Sequence, residues 1–363
     1  MYAGAILNLI TIQEINNGGI YMNPKMQWLR NKMSSMNLQG MIVSNPVNIQ
    51  YLTNLEAEGM LILTRKDNIY ITDGRYIEYV NRTLTIFDEI TVYDIRDLSQ
   101  EDFENFFMFC ENVGFEEDYL TYAKYKEYIR KFKINSFVET EGILEKQRTI
   151  KDEEEIKNIA KACQITRDCF EYIKPFLIPG NTEKQVARLI DDYYHQNSEG
   201  PSFSTIVASG ENSSKPHAVP TDRVFTEQDI ITIDMGCKIN GYCSDLTRTF
   251  FIGEPTEKQR AVYNLVQKNY VQTINAIKEG ASIKQLVKMV ENDFKLNGYN
   301  LIHSLGHGVG LEVHEIPNVS IRVDAPLREN MVITVEPGIY IPGEFGVRIE
   351  DTILVEKGGA RKL

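Results

Sequence analysis

Two aspartates lie on the arms of a predicted β-hairpin between residues 230 and 249. The dipeptide Asn240-Gly241 separates two runs of β-branched and aromatic residues, which is the strongest short-range signal of a hairpin turn. A turn at this dipeptide predicts three cross-strand pairs: Ile239 with Tyr242, Gly236 with Asp245, and Asp234 with Thr247. Because side chains alternate along a strand, Asp234 and Asp245 fall on one face, where their charges repel unless a cation lies between them. The hairpin therefore predicts half of a metal site; the competing interpretation is two solvated aspartates at a sheet edge.

Four of the five histidines lie in two short loops. His217 lies before the hairpin, in Lys215-Pro-His-Ala-Val-Pro, and three more lie within twelve positions of a glycine-rich segment: His303, His307 and His314. A lone histidine is more often a structural or surface residue, as we expect for His195, whereas a cluster this dense indicates a functional site. The glycines around His307 allow the backbone to pack closely there.

A second pair of carboxylates is predicted near the C-terminus. The apolar run that ends in Val335-Glu-Pro-Gly buries Glu336, and a buried carboxylate needs a cation or strong hydrogen bonds. A loop centred near Gly343 places Glu336 opposite Glu350 on a second hairpin.

Four carboxylates and one imidazole suit two divalent metal ions, because the opposite charges cancel. A bridging hydroxide adds one negative charge, which a protonated histidine or the nearby Arg348 can offset. Oxygen-rich ligation with one histidine favours manganese, cobalt or zinc over copper. Two such ions about 3.5–4 Å apart lower the pKa of a shared water and hold both the nucleophile and the electrophile.

These residues resemble the ligand set of the pita-bread dinuclear metallopeptidases. The matching positions are Asp234, Asp245, His307 in His-Ser-Leu-Gly-His-Gly-Val-Gly, Glu336 in Val-Glu-Pro-Gly and Glu350 in Val-Arg-Ile-Glu-Asp. The resemblance spans about residues 146–357, and the segment around His217 resembles the Xaa-Pro peptidase branch, which contains aminopeptidase P and prolidase. The preceding region is similar to the creatinase/prolidase N-terminal domain, with two weaker markers: Asn48-Ile-Gln-Tyr-Leu-Thr and Thr72-Asp-Gly-Arg-Tyr. Methionine aminopeptidases usually lack that domain.

The resemblance implies that Asp234 and Asp245 bind one ion, that Asp245 and Glu350 bridge the two ions, and that His307 and Glu336 complete the second. The expected cofactors are two divalent metal ions, with manganese first and cobalt or zinc as alternatives.

The resemblance also implies specific roles for residues around the substrate. His217 and His314 would hold the substrate carbonyl and the tetrahedral intermediate and would shuttle protons. Glu336 would also be the base for the bridging water. His303 would line the proline pocket, and Arg348 would pair with a nearby acid and steady Glu350.

The implied activity is that of a metallo-exopeptidase which hydrolyses the Xaa-Pro bond at the N-terminus of peptides by a bridging hydroxide. A proline amide lacks an N–H, so proteases that bind extended backbones handle it poorly, whereas metal polarisation and a positioned acid suit it. Three alternatives stay open: a prolidase restricted to Xaa-Pro dipeptides, a pita-bread binding protein without catalysis, and a two-metal phosphoesterase.

Composition limits the partners of this chain. A net charge of −12 and a pI near 5.1 argue against general binding of nucleic acid or of anionic membranes. No window approaches the roughly 20 apolar residues of a membrane span. Five scattered cysteines fit reduced thiols in a cytoplasmic protein. The expected partner is a proline-containing peptide, and the resemblance implies a homodimer.

The elements that position these residues predict an α+β protein. We expect a disordered leader over residues 1–21, with Met22 as the natural start, and an α/β domain over 22–145 in which strands alternate with helices. A pita-bread domain like that of creatinase and methionine aminopeptidase is expected over 146–363. In it a pattern of two helices followed by strands occurs twice, without a visible repeat at the level of residues.

Overall fold

The computed structural model describes residues 23–84 and 90–363, and the chain divides into two units, Met1–Ile143 and Leu144–Leu363. The predicted leader and the predicted start at Met22 lie outside the described residues. Within the described ranges, no helix combines the length and the apolar character needed to cross a membrane.

The N-terminal unit is built on a six-stranded mixed sheet with strand order β4-β3-β2-β1-β5-β6. Its elements are α1 (Pro24–Ser35), β1 (Gly40–Val43), α2 (Pro46–Thr53), β2 (Met60–Thr64), β3 (Asn68–Thr72), α3 (Ile77–Leu84), β4 (Ile90–Asp94), α4 (Gln100–Asn105), β5 (Asn112–Phe115), α5 (Tyr122–Lys131) and β6 (Ser136–Glu139). Strands β1 and β2 are buried along their whole length, which explains why both are continuous apolar runs in the sequence.

One buried carboxylate of this unit has a purely structural setting. Glu116 follows β5 and accepts hydrogen bonds from the backbone N–H groups of Ser44 and Asn45, at 2.6 and 2.8 Å, and from the side-chain amide of Asn48 at 2.7 Å. These bonds tie the end of β5 to the start of α2.

The chain passes into the C-terminal unit through α6 (Ile143–Arg148). The first half of this unit contains α7 (Glu153–Ile173), α8 (Glu183–Asn197), β7 (Ile206–Ser209), β8 (Ile230–Met235), β9 (Lys238–Ile239), β10 (Tyr242–Cys243) and β11 (Leu246–Phe251). The second half contains α9 (Glu257–Ala276), α10 (Ile283–Leu296), β12 (Gly306–Gly308), β13 (Glu315–Val319), β14 (Val332–Val335), β15 (Gly338–Ile341), β16 (Phe345–Arg348), β17 (Asp351–Glu356) and β18 (Gly359–Lys362).

Each half packs its helix pair on its own sheet. The apolar faces of α7 and α8 cover the sheet β11-β8-β7, whereas those of α9 and α10 cover the sheet β13-β12-β14-β17-β18. Each fully buried aliphatic side chain in these cores contributes roughly 1.5–3 kcal/mol by leaving water. The two sheets therefore provide two rigid supports for the hairpins β8–β11 and β14–β17.

The two halves also repeat in sequence, so the expectation that no residue-level repeat exists is wrong. Residues 180–190 read Gly-Asn-Thr-Glu-Lys-Gln-Val-Ala-Arg-Leu-Ile, and residues 280–290 read Gly-Ala-Ser-Ile-Lys-Gln-Leu-Val-Lys-Met-Val. Both segments begin with a glycine at positive φ and cap the following helix with a hydroxyl side chain, Thr182 or Ser282. The two caps form equivalent β-bridges, Thr182 with Val224 and Ser282 with Pro326.

The first predicted hairpin forms with the predicted turn. Asn240 and Gly241 have φ values of 49° and 77°, which a two-residue type I′ turn requires. The pairs Ile239–Tyr242 and Asp234–Thr247 are confirmed. Residues 236–237 and 244–245 leave the ladder, so the hairpin is interrupted where Gly236 and Asp245 would pair.

Close backbone contact explains why residue 236 is glycine. A Cβ on Gly236 would lie 2.0 Å from the carbonyl oxygen of Ser244 and 2.4 Å from Oγ of Ser202. No side chain, and hence no ligand, can be placed at this position.

The second hairpin is interrupted in the same way. Val335 pairs with Asp351 in one ladder and Gly338 with Arg348 in the next, so residues 336–337 and 349–350 lie between the ladders. The register places Glu336 opposite Glu350, as the sequence predicts. Interrupted strands thus turn side chains from both hairpins toward one site.

Candidate metal centre

All nine predicted site residues line one cavity of about 770 Å³ in the C-terminal unit. They are His217, Asp234, Asp245, His303, His307, His314, Glu336, Arg348 and Glu350. Asp245, Arg348 and Glu350 are buried, whereas His217 and His314 are exposed to the cavity. His195 lies outside the cavity and is exposed, as expected for a surface residue.

The predicted metal ligands approach one another from both hairpins and from β12. Ligand atoms of Asp245, His307 and Glu350 all lie within 4.8 Å of one another. Nε2 of His307 is 3.5 Å from Oδ2 of Asp245 and 3.4 Å from Oε1 of Glu336. Nδ1 of His307 is 3.1 Å from the carbonyl oxygen of Gly308, which places the ring proton on Nδ1 and leaves Nε2 free to bind a metal.

Three buried carboxylate oxygens at this site show whether its residues fit a metal ion. Oδ1 of Asp234, Oδ1 of Asp245 and Oε1 of Glu350 are buried without a hydrogen-bond partner among the described residues. Leaving a buried polar atom unsatisfied costs about 1–3 kcal/mol, and more when the group is charged. Divalent cations that prefer oxygen and imidazole ligands would satisfy these atoms, so the residues present fit a metal centre.

Burial and mutual repulsion raise the pKa values of three of the carboxylates. Burial, helped by the charge of Asp234 and opposed by Arg348, raises the pKa of Glu336 to about 7. Burial and the neighbouring carboxylates raise the pKa values of Asp245 and Glu350 well above their ordinary range. Protein groups alone therefore do not stabilise this cluster in its charged form.

The two histidines nearest the carboxylates are neutral. Burial lowers the pKa of His307 to about 4, and the neighbouring His314 adds to this effect. Burial likewise lowers the pKa of His303 to about 4. A neutral imidazole is the form that binds a metal.

Arg348 connects the two hairpins. Its Nη2 donates to Oδ2 of Asp234 at 2.6 Å, and its Nε donates to Oγ1 of Thr247 at 3.0 Å. Thr247 in turn donates to Oε2 of Glu350 at 2.6 Å. Arg348 therefore pairs with Asp234 directly and reaches Glu350 through Thr247.

Three supporting residues were not identified from the sequence. Thr247 is the first of them. The second is Thr334, whose hydroxyl accepts a hydrogen bond from the backbone N–H of His307 at 3.1 Å. The third is Tyr340, whose hydroxyl lies 2.6 Å from Nη1 of Arg348 and 3.0 Å from Nε2 of His303. The predicted register already placed Thr247 opposite Asp234, so alternation along the strands could have identified it. For Tyr340 the sequence carries no comparable signal.

The segment that carries His314 is fixed by a buried ionic cluster, the Glu315 cluster, formed by Glu315 with Arg148 and Lys151. Glu315 binds Arg148 and accepts from Lys151 at 2.9 Å, and these three side chains are at most 4% exposed. Arg148 also pairs with the half-exposed Glu312 at 2.7 Å. Although burial alone would raise it, the pKa of Glu315 is lowered by Lys151 and Arg148.

Comparison with known proteins covers both units. The family model for metallopeptidase family M24 matches residues 157–357, and the one for the creatinase/prolidase N-terminal domain matches residues 25–150. An Xaa-Pro dipeptidase of Pyrococcus furiosus is 34% identical to this chain over 354 residues, which cover 94% of this chain and 98% of that protein.

Solved structures of other proteins also align with most of this chain. An Xaa-Pro dipeptidase from Bacillus anthracis aligns with a TM-score of 0.88 at 35% identity and covers 93% of this chain and 96% of its own. An X-Pro aminopeptidase from Thermotoga maritima aligns with a TM-score of 0.83 at 29% identity and covers 92% of this chain and 97% of its own.

Proposed function

The chain belongs to metallopeptidase family M24, and from this premise we propose that it hydrolyses the bond between the first residue of a peptide and a following proline. Membership confirms the predicted class of enzyme, a metallo-exopeptidase, and the predicted fold class, a pita-bread domain preceded by a creatinase/prolidase N-terminal domain. The observation that carries the proposal is the set of converging ligand atoms of Asp245, His307 and Glu350 in a cavity shared with further histidines.

Asp234, Asp245, His307, Glu336 and Glu350 would hold two divalent ions, with manganese first and cobalt or zinc as alternatives. When bound, two such ions lower the pKa of a shared water and polarise the carbonyl of the substrate. Support for this assignment comes from the unsatisfied oxygens of Asp234, Asp245 and Glu350.

Glu336 is proposed to take the proton of the attacking water at its carboxylate. The carboxylate lines the cavity, where Oε1 is 3.4 Å from Nε2 of His307, and Thr334 orients it through a hydrogen bond of 3.4 Å. A general base must be within hydrogen-bond reach of the proton it removes, so a carboxylate that lines the cavity beside the proposed ligands suits this role.

His217 and His314 are proposed to hold the substrate carbonyl and to return a proton to the departing nitrogen. Both side chains are exposed to the cavity, and the ring of His314 lies 4.4 Å from that of His307, centroid to centroid. The departing amide nitrogen is a very poor leaving group as an anion, so it must receive a proton as the C–N bond breaks. His303, held by Tyr340, is proposed to form one wall of the proline pocket.

The charge of the cavity favours peptides that continue beyond proline. A dipeptide carries its free carboxylate on the proline itself, and a site specific for dipeptides gains from an available cation there. The described lining contains two arginines and no lysine, and each arginine already binds acids: Arg148 binds Glu312 and Glu315, and Arg348 binds Asp234. The second candidate, a prolidase restricted to dipeptides, is favoured by the names of the relatives from P. furiosus and B. anthracis.

A small peptide panel tests both candidates. The enzyme is stripped of metal, reloaded separately with manganese, cobalt or zinc, and assayed on an Xaa-Pro dipeptide, an Xaa-Pro-Xaa tripeptide and a matched Xaa-Ala-Xaa tripeptide. We expect release of the first residue from the proline tripeptide and none from the alanine control. Cleavage of the dipeptide alone would establish the prolidase candidate, and absence of both bound metal and hydrolysis would establish a non-catalytic binding protein.

Three further predictions remain proposals. They are a homodimer, which light scattering after size exclusion would test; a cytoplasmic location; and the division into a leader (1–21), an N-terminal domain (22–145) and a catalytic domain (146–363).

A further inference from the structure

A buried carboxylate outside the metal centre holds the segment that carries His217. Glu183 lies in the first turn of α8 and is 0% exposed. Its Oε1 accepts from N and Oγ of Ser209 at 2.6 and 2.7 Å, and its Oε2 accepts from N and Oγ1 of Thr221 at 2.9 and 2.6 Å. The amide of Asn212 lies 3.2 Å from both oxygens. A carboxylate can be buried at acceptable cost only when such donors replace water.

All these donors belong to the segment 209–221, the His217 segment. Ser209 ends β7 and Thr221 lies four residues after His217, so the two oxygens of one carboxylate join both ends of the segment. Between the ends, Oγ of Ser213 accepts from the backbone N–H of Gly346 at 2.9 Å, and the carbonyl of Pro216 accepts from Arg348 at 3.3 Å. The segment is thus a loop with closed ends, and between those ends it also contacts the second hairpin.

The second half of the C-terminal unit has no buried glutamate at the position equivalent to Glu183. Residue 283, which is equivalent to Glu183 in the sequence repeat, is an isoleucine, 1% exposed, packed in the core of the second half. The stretch after β12 instead forms β13, which pairs with β12 through its backbone. A buried glutamate is therefore not needed to build the helix terminus, and it accompanies the His217 segment.

We propose that Glu183 is a positioning residue that holds His217 in the cavity by joining the two ends of the His217 segment. The inference rests on the proposed function only for its kinetic readout, because the hydrogen bonds that define it do not involve the metal centre. Glu183 is not among the residues that line the cavity, so its proposed action is through the loop.

The variant Glu183→Gln tests the closure of the loop. Its amide NH2 must face the backbone N–H of either Ser209 or Thr221, and these N–H groups cannot turn away, so the link from the glutamate side chain to one end of the segment is lost. We expect faster hydrogen exchange of the amides in 210–221, unchanged metal content, and a fall in kcat/KM of about 10²-fold, the size expected when a reacting group is displaced by about 1 Å.

Glu116→Gln is the matched control, because Glu116 is a buried carboxylate that also accepts two backbone N–H groups and one side-chain amide. It should leave both hydrogen exchange of 210–221 and kcat/KM at the wild-type values. Equal changes in the two variants would show a general effect of losing a buried carboxylate and would overturn the proposal.

A double-mutant cycle separates positioning from stability. His217→Ala should lower kcat/KM by about 10²–10⁴-fold in the wild type and in Glu116→Gln, as loss of a proton-transfer group does. In Glu183→Gln the same change should cost less than about threefold, because His217 is already displaced. Full, independent losses from the two changes would overturn the proposal.

Two outcomes need a second variant or readout. If Glu183→Gln does not fold, Thr221→Val is used instead, because it removes one hydroxyl donor and keeps the backbone N–H. It should raise hydrogen exchange within 210–221 alone. Unchanged exchange in this segment would refute the role of Glu183. If the wild-type enzyme cleaves no Xaa-Pro peptide, the proposed function fails, and hydrogen exchange of the His217 segment still decides the positioning role.

Discussion

Two of the four histidines that line the cavity, His217 and His314, lie in corresponding stretches of the two halves of the C-terminal unit. These stretches are held by different forces. Glu183 closes the His217 segment through neutral hydroxyl, amide and backbone donors. Glu315 holds the backbone beside His314 through two buried cations, Arg148 and Lys151. One half therefore uses hydrogen bonds and the other uses desolvated ion pairs.

This difference determines how each half responds to the loss of a charge. Removing one member of a buried ionic cluster leaves the other charges without compensation, and this is more costly than leaving neutral donors unsatisfied. Loss of Glu315 on the His314 side should therefore mainly lower the stability of the fold. Loss of Glu183 on the His217 side should mainly displace His217.

The two hairpins differ in one further respect. Both are interrupted beside the site, and Asp245 and Glu350 occupy the same place, directly before the returning strand. On the outgoing strand, Glu336 lies in the interruption, whereas Gly236 at the corresponding place cannot carry a side chain. The carboxylate of the first hairpin lies two residues earlier, at Asp234, where alternation returns it to the same face.

The largest expected effect tests whether the two hairpins contribute equally. Asp245→Ala and Glu350→Ala should each lower kcat/KM by more than about 10³-fold, beyond the 10–100-fold typical of residues that only support a ligand. Both should also lose bound metal, as measured by elemental analysis of the purified protein. Full turnover in either variant would contradict the two-metal assignment.

The next effect concerns stability on the His314 side. Glu315→Gln should lower the free energy of unfolding by about 3–5 kcal/mol in urea, because Arg148 and Lys151 stay buried without their carboxylate. Glu312→Gln is the matched control, since Glu312 pairs with the same arginine but is 45% exposed; it should cost less than about 1 kcal/mol. Equal losses would remove the proposed contrast between buried and exposed partners.

Acid should remove the same stabilisation. The pKa of Glu315 is lowered in the folded protein, so its contribution is complete above the ordinary glutamate pKa of about 4.3 and is lost as pH falls through the lowered value. The difference in unfolding free energy between wild type and Glu315→Gln should therefore be constant from neutral pH to about 4.3 and shrink below it. A difference that grew on acidification would contradict the ion-pair assignment.

A smaller effect is expected where one hairpin supports the other. Thr247→Val removes the hydroxyl that links Arg348 to Glu350 and should weaken metal affinity by about 10–100-fold in competition with a chelator. Thr273→Val is a suitable control, because Thr273 is buried in α9 and bonds only to the helix carbonyl of Asn269 in the contacts described. Wild-type affinity in Thr247→Val would show that the link is not needed.

The smallest effect is expected at Tyr340. Tyr340→Phe removes one neutral hydroxyl between Arg348 and His303, which is worth about 0.5–1.5 kcal/mol, or about two- to tenfold in kcat/KM. Because His303 is assigned to the proline pocket, the change should be mainly in KM. A loss confined to kcat would assign Tyr340 to the reaction instead of to binding.

Local rules made the positions of the four carboxylates predictable. Asn240-Gly241 determines the turn of the first hairpin, and alternation then places Asp234 and Asp245 on one face. The same reasoning predicted that Glu336 lies opposite Glu350 on the second hairpin. These predictions succeeded because each depends on residues close in sequence within one hairpin.

Residues that act across long sequence distances were not predictable in this way. Glu183 is a capping-turn residue in the sequence, and only its contacts with Ser209 and Thr221 reveal its environment. Glu315 meets Arg148 across 167 positions. The repeat at 180–190 and 280–290 could have been found from sequence, and it would have marked Glu183 as the exception opposite Ile283.

One titration tests the central claim most directly. The metal-free enzyme is loaded stepwise with manganese while hydrolysis of an Xaa-Pro-Xaa peptide is followed beside its Xaa-Ala-Xaa control. Ligands from both hairpins predict that activity reaches its maximum at two equivalents of metal per chain and that only the proline peptide is cleaved. No hydrolysis at any loading, or equal cleavage of the alanine peptide, would contradict the account.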